Sequence, residues 1–248
     1  MVLMLTGRAQ AAEVELEGEI VSSRTEIREG TAYIPLRELS EAAGGWTLFW
    51  DEEAEAASAE GEHFSLYVPT DGSALLVEDA VYTVGGAYLK GGSVYVPLRE
   101  VGRLLGFDVR WQGPERPIAL SRRPAEVSEE DFYWLCRIIS AESQGEPLLG
   151  QLAVGTVVLN RVACPDFPDT ITDVIFDEAG GIQFEPVANG AVYWEPTAQS
   201  VLAAQLVLSG VRAAGESMFF YAPALSEGIW INENREHYIT IGCHKFYL

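Results

Sequence analysis

Histidine is scarce in this sequence. Only His63, His237 and His244 are present. A zinc site needs about three nitrogen, sulfur or oxygen ligands. The second half offers His237 and His244, whose spacing of seven matches no zinc motif. Cysteine is equally sparse. Cys136, Cys164 and Cys243 are odd in number and form no Cys-x-x-Cys pair, so neither a disulfide framework nor a cysteine zinc site is supported. The sequence leaves open whether two of them form a single bridge. Positive charge is short as well: 16 Lys and Arg face 37 Asp and Glu, for a formal net charge of −21. Divided at Pro124, the halves carry −9 and −12. Neither holds a basic patch, which excludes nucleic acid as a partner. No apolar run is long enough to span a bilayer.

What remains is globular material. The chain has 248 residues, 48% of them hydrophobic and 10% aromatic, enough for one large domain or two smaller ones. Met1-Val2-Leu3-Met4-Leu5 is a short apolar stub, and Ala9-Gln10-Ala11 is a small-x-small pattern. Residues 1–12 therefore read as the tail of a secretory signal, which implies export.

The first half repeats itself. Gly30-Thr31-Ala32-Tyr33-Ile34-Pro35-Leu36-Arg37-Glu38-Leu39 matches Gly92-Ser93-Val94-Tyr95-Val96-Pro97-Leu98-Arg99-Glu100-Val101 at an offset of 62. One residue closer, the segment ending in Trp50 parallels the one ending in Trp111. Each unit reads as strand, Pro at a helix start, short amphipathic helix, Gly at the helix end, then an alternating, half-buried strand. Over about residues 14–122 this duplication resembles the copper-amine-oxidase-like N-terminal, or stalk, domain of secreted Gram-positive proteins. Despite that name no copper site is expected, because the region holds one histidine, His63, and no cysteine. Two readings stay open for it: a wall-adhesion module, or a spacer without a ligand. The expected domains are 13–122, a linker over 123–129, and 130–248. Ser128 and Asp131 cap the helix that follows the linker.

In that helix Phe132, Leu135, Ile139 and Glu142 share one face. A carboxylate on an apolar stripe is costly unless it is paired, protonated or lining a cleft. Desolvation, the helix C-terminus and a nearby Glu146 are each expected to raise its pKa. The run Leu149–Val162 is apolar almost all round and predicts a central helix. Another helix is predicted from Pro196 to Gly210. Aromatic, Gly-rich extended pieces cover 181–187 and 219–223. Helices first and short strands afterwards suggest an α+β module.

These segments together resemble the SleB/CwlJ-type cell wall hydrolases, the spore-cortex-lytic enzymes. The resemblance rests on Ala141-Glu142-x-x-Gly145-Glu146-Pro147, Gly150-Gln151, Leu159-Asn160-Arg161-Val162, Gln183-Phe184-x-Pro186-Val187, Trp230 and Ile241-Gly242-x-His244-x-Phe246. It departs from the family at Ser143-Gln144, where Ala-Arg is common. It implies a lysozyme-like α+β fold, secretion to the wall or spore cortex, and cleavage of peptidoglycan glycan strands without a cofactor or metal. It implies that Glu142 is the catalytic acid. Such an acid must hold its proton near neutral pH.

Hydrolytic glycosidases use two carboxylates. Glu146, Glu185 and Glu195 are the candidates for a second. A lytic transglycosylase needs only one, because the substrate's own C6 hydroxyl attacks. Gln183, Phe184, Tyr221, Trp230 and His244 are candidate cleft residues, since aromatic faces stack on sugar rings and amides bond their acetamido groups. Asn160 and Arg161 read as ties between helix ends. The rival readings are a zinc amidase, a cysteine peptidase built on Cys136 and His244, and a wall-binding protein without activity.

Overall fold

The computed structural model describes residues 10–63, 65–77, 80–82, 86–122, 128–179, 181–225 and 229–248. The chain divides into two compact units at Arg122. The leader reading at 1–9 and the linker residues 123–127 lie outside the described residues. Gln10–Ala12, read from the sequence as the end of a leader, belong instead to a paired strand, so the first folded unit begins before residue 13.

The first unit opens with β1 (Gln10–Leu16), β2 (Glu19–Arg28), β3 (Thr31–Pro35), α1 (Leu36–Ala43) and β4 (Thr47–Asp51). It continues through β5 (Ala56–Glu60), β6 (Ser65–Pro69), β7 (Leu75–Val77), β8 (Ala80–Tyr82) and β9 (Tyr88–Lys90). It closes with β10 (Ser93–Pro97), α2 (Leu98–Leu104), β11 (Asp108–Arg110) and β12 (Ile118–Ser121). Among the described residues these strands form a seven-stranded sheet, β11-β12-β1-β2-β3-β10-β9, and a five-stranded meander, β4-β5-β6-β7-β8.

The repeat is visible as β3-α1-β4 and β10-α2-β11. Each proline stands one residue outside its helix, as the N-cap at φ −57° or −59°, where the missing N–H costs nothing. The two copies meet in an antiparallel pairing in which Ile34 lies opposite Val96, Tyr33 opposite Pro97 and Pro35 opposite Tyr95. Ile34 and Val96 are repeat equivalents, so a local two-fold axis runs between them. The copies then diverge. Strand β4 starts the meander, whereas β11 returns to the large sheet. Nor is β4 half-buried as its alternation predicts. It stands at an edge, with Phe49 51% and Trp50 43% exposed.

The second unit holds α3 (Glu129–Ser143), α4 (Leu148–Val162), α5 (Ile171–Ile175), α6 (Glu185–Asn189), α7 (Ala198–Leu208), β13 (Phe219–Tyr221), α8 (Ile229–Asn234), β14 (His237–Ile241) and β15 (His244–Tyr247). Helices α3, α4 and α7 form the core and the strands a small antiparallel sheet, β13-β15-β14. Both units mix helix and strand, the α+β class expected. Ser128 caps α3 as predicted, its Oγ accepting from the Asp131 N–H at 3.0 Å. Leu135, Ile138 and Ile139 of α3 and Leu152, Val154, Val157 and Val158 of α4 are completely buried. Each such aliphatic side chain contributes about 1.5–3 kcal/mol relative to exposure. The helices cross closely at Gly155, where an added Cβ would come within 2.8 Å of Ile139 Cδ1 and 3.2 Å of Val207 Cγ2. This crossing fixes the end of α3 against α4. Among the described residues no helix is long and apolar enough to cross a membrane.

Candidate active site

Glu142 lies in the last turn of α3 and is partly buried. Its side chain makes no hydrogen bond among the described residues. Burial pushes its pKa up to about 7. The nearby charge of Glu185 adds to the rise and Arg161 opposes it. The like charge is therefore Glu185, at the start of α6, and not Glu146 as the sequence suggested.

Helix α3 ends at Ser143, and Glu146 turns to other partners. Its Oε2 accepts from the Cys243 N–H at 2.8 Å, and its Oε1 lies 3.7 Å from His244 Nδ1. It is a half-buried brace for the β14–β15 turn. Gly242 makes room for it: at φ +56°, an added Cβ would fall 1.8 Å from Glu146 Oε2. Glu195, the third candidate carboxylate, pairs with Arg137 at 2.8 Å.

Arg161 is the residue the sequence reading undervalued. It sits on α4, 4% exposed, and burial lowers its pKa to about 10 against the pull of Asp177 and Glu142. Its Nε donates to Met218 O at 2.8 Å, which ties α4 to the segment before β13. Its guanidinium lies 5.1 Å from the ring centroids of both Phe167 and Phe184. Its Nη1 donates to Gln183 Oε1 at 3.5 Å, while Gln183 Nε2 donates to Gly181 O. The signal was available: a cation inside an almost wholly apolar helix is the same anomaly as Glu142 on its stripe. Asn160 donates to Gly215 O and Ser217 O, a tie of the kind expected.

The fold thus brings Glu142, Glu185, Arg161 and Gln183 together. It divides the other candidates between the two faces of β13, since alternate residues of a strand face opposite ways. Phe219 and Tyr221 share one face. Phe219 lies 6.0 Å from Trp230, which is 57% exposed, and Tyr221 accepts a 2.8 Å hydrogen bond from Asn232. Phe220 faces the other way, toward Phe184, His244 and Phe246. Phe184 is 1% and His244 6% exposed, so neither presents a ring to a ligand. The expectation that they line a cleft is corrected: Phe184 packs behind Arg161, and His244 stands beside Glu146. Burial lowers the pKa of His244, against the pull of Glu146.

Cys136 is buried, its thiol pushed up by burial to about 11, and among the described residues no hydrogen bond or electrostatic interaction links it to His244. All three cysteines are free. Among the described residues no group of three or more His, Cys, Asp or Glu is placed to hold a metal ion, copper in the first unit included.

Comparison with known proteins divides the chain in the same way. The Cell Wall Hydrolase family matches residues 145–247, starting just after Glu142. The Copper amine oxidase N-terminal domain family matches residues 16–126. A spore cortex-lytic enzyme of Halalkalibacterium halodurans is 33% identical over 123 residues, 50% of this chain and 36% of that protein. The cell wall hydrolase CwlJ of Oceanobacillus iheyensis is 34% identical over 102 residues, 39% of this chain and 71% of that protein. The solved catalytic domain of the germination-specific lytic transglycosylase SleB from Bacillus anthracis is 33% identical, with a TM-score of 0.44, and covers 50% of this chain and 99% of that one. The chain spans about a third of the length of the first of these relatives.

Proposed function

Because this chain belongs to the cell wall hydrolase family, we propose that its second unit cleaves the bond between N-acetylmuramic acid and N-acetylglucosamine in peptidoglycan, with Glu142 as acid and then base. The observation that carries this reading is a carboxyl held at about pKa 7 by burial beside Glu185. At neutral pH a large share of Glu142 carries the proton that the leaving glycosidic oxygen requires. Once the proton is given, the carboxylate faces Arg161, which at a pKa of about 10 is still cationic. Arg161 therefore balances the charge that forms on Glu142 during the step. It is itself held by Met218 O and Gln183. Gln183, Tyr221 and Trp230 supply the amide and ring faces for the sugar.

With Glu142 as the single acid and base, the reaction is a lytic transglycosylation. Glu142 protonates the leaving oxygen, the muramic C6 hydroxyl attacks its own anomeric carbon, and the carboxylate takes the hydroxyl proton. The product is a 1,6-anhydro sugar. A second reading has one observation in its favour. Of the three candidate partner carboxylates, Glu146 and Glu195 are bound elsewhere, while Glu185 bears electrostatically on Glu142. Glu185 acting on water would make the enzyme a muramidase.

Mass spectrometry of digested peptidoglycan separates the two. Anhydro-muramic ends support the first reading, and reducing muramic ends support the second. Intact strands would overturn both.

A further inference from the structure

The duplication in the first unit builds two equivalent grooves, of about 450 Å³ and about 510 Å³. The first is lined by Pro35, Leu36, Arg37 and Trp50 of one copy and by the Gly92-Ser93 turn of the other. The second is lined by Pro97, Leu98, Arg99 and Trp111 and by the Gly30-Thr31 turn. Of the eleven residues lining the second groove, ten are repeat equivalents of residues lining the first, and only Glu100 has no counterpart there. The two-fold axis between Ile34 and Val96 accounts for this. Each groove takes its helix start and tryptophan from one copy and its turn from the other, so neither copy makes a groove alone.

The chemistry is also the same twice. Trp50 and Trp111 are 43% and 46% exposed, unusual for so large a ring. Arg37 and Arg99 are exposed, and among the described residues neither has a carboxylate partner. Ser93 and Thr31 add a hydroxyl at the turn. An indole face, an unpaired guanidinium and a hydroxyl together suit a pyranose ring that carries a carboxylate. A chain of net charge −21 that keeps two arginines unpaired in matching grooves favours an anionic group there. Two copies of one site suit a polymer whose unit repeats. We infer that the first unit is a bivalent glycan-binding module, its two grooves each taking one carboxylate-bearing sugar of a repeating strand. The grooves are not identical in their lining. Arg24 lines the first and covers Glu38 by a 2.6 Å hydrogen bond, whereas Glu100, the equivalent of Glu38, lines the second.

The choice of muramic acid as that sugar rests on the function proposed for the second unit; the grooves themselves do not. The test uses the full chain carrying Glu142→Gln and calorimetric titration with peptide-free muramic-acid oligosaccharides, with chitotetraose as a neutral control. Trp50→Ala and Trp111→Ala should each remove one binding site, and the double variant should remove two. Retention on insoluble strands should fall about 100-fold in either single variant, because the avidity of two linked sites is lost with one of them, and further in the double variant. Arg37→Gln with Arg99→Gln, both at the surface, should cut the preference for the acidic over the neutral oligosaccharide about tenfold. Unchanged stoichiometry and retention in the double tryptophan variant would overturn the inference. An unchanged acidic preference in the arginine variant would overturn its carboxylate part. Failure of the cleavage reading shows separately, as intact glycan after incubation with the unsubstituted chain.

Discussion

Glu142 and Glu146 stand four residues apart across the end of α3, and the fold treats them in opposite ways. Glu146 has a backbone N–H on one oxygen and an imidazole beside the other. Glu142 has burial, a like charge and, among the described residues, no hydrogen bond. A carboxylate held by a backbone N–H with an imidazole beside it serves the fold, whereas one denied such partners keeps its proton to higher pH. The difference arises where the helix stops. Had α3 run one turn further, the two carboxylates would have shared a face.

The comparison breaks most sharply at Glu142. Glu142→Gln should lower glycan cleavage by about 10²–10⁴-fold, the contribution of a positioned acid, as read by release of soluble muropeptides. The same variant should be more stable than the parent above pH 7. Below about pH 4.5 the carboxyl is protonated in folded and unfolded chains alike. Between 4.5 and about 7 only the folded chain keeps the proton, so stability falls as pH rises through that window. The full cost is on the order of 3 kcal/mol, and glutamine removes it. Thermal melts at pH 5 and pH 8 check the sign: the variant's advantage should be larger at pH 8.

Glu146→Ala should do the reverse. It strips the Cys243 N–H and leaves a hole beside His244. The expected loss is about 2–4 kcal/mol of stability, measured by denaturant unfolding, with cleavage retained per folded molecule. A loss of cleavage without a loss of stability would remove the contrast between the two glutamates. Gly242→Ala attacks the same brace from the other side, through a steric clash at positive φ, and should cost about 1–3 kcal/mol. The smallest effect is the most specific. Glu185→Gln removes the like charge, so the pH at which cleavage falls off should move down. Arg161→Gln should move it up. A profile indifferent to both would detach Glu142 from its electrostatic setting.

The legible parts of the chain were those where a local pattern meets a strong physical penalty. The carboxylate on the α3 stripe was one. The repeated Pro-Leu-Arg-Glu was another, and the Ser128 cap a third. The partners of Glu142 were not legible, because they come from α4 and α6 and only tertiary packing brings them to α3. Helix α6 itself was missed: residues 181–187 read as extended, although Pro186 stands just inside the helix start, and a proline at a helix start, there as the N-cap, also marks α1 and α2. Phe184 and His244 were read by residue type, which does not tell which face of β13 a ring will pack against. The exposure of β4 escaped because alternation shows that a strand has two faces, and not that a second layer covers one of them.

The pairing of Ile34 with Val96 has a further consequence. Two copies that meet across a two-fold axis are a dimer made covalent. The connecting chain replaces free association with a high effective concentration, so the interface holds without needing affinity of its own. It also frees the copies from identity. In a true dimer every substitution is imposed on both sites, whereas here Arg24 lines one groove and Glu100, the equivalent of Glu38, lines the other.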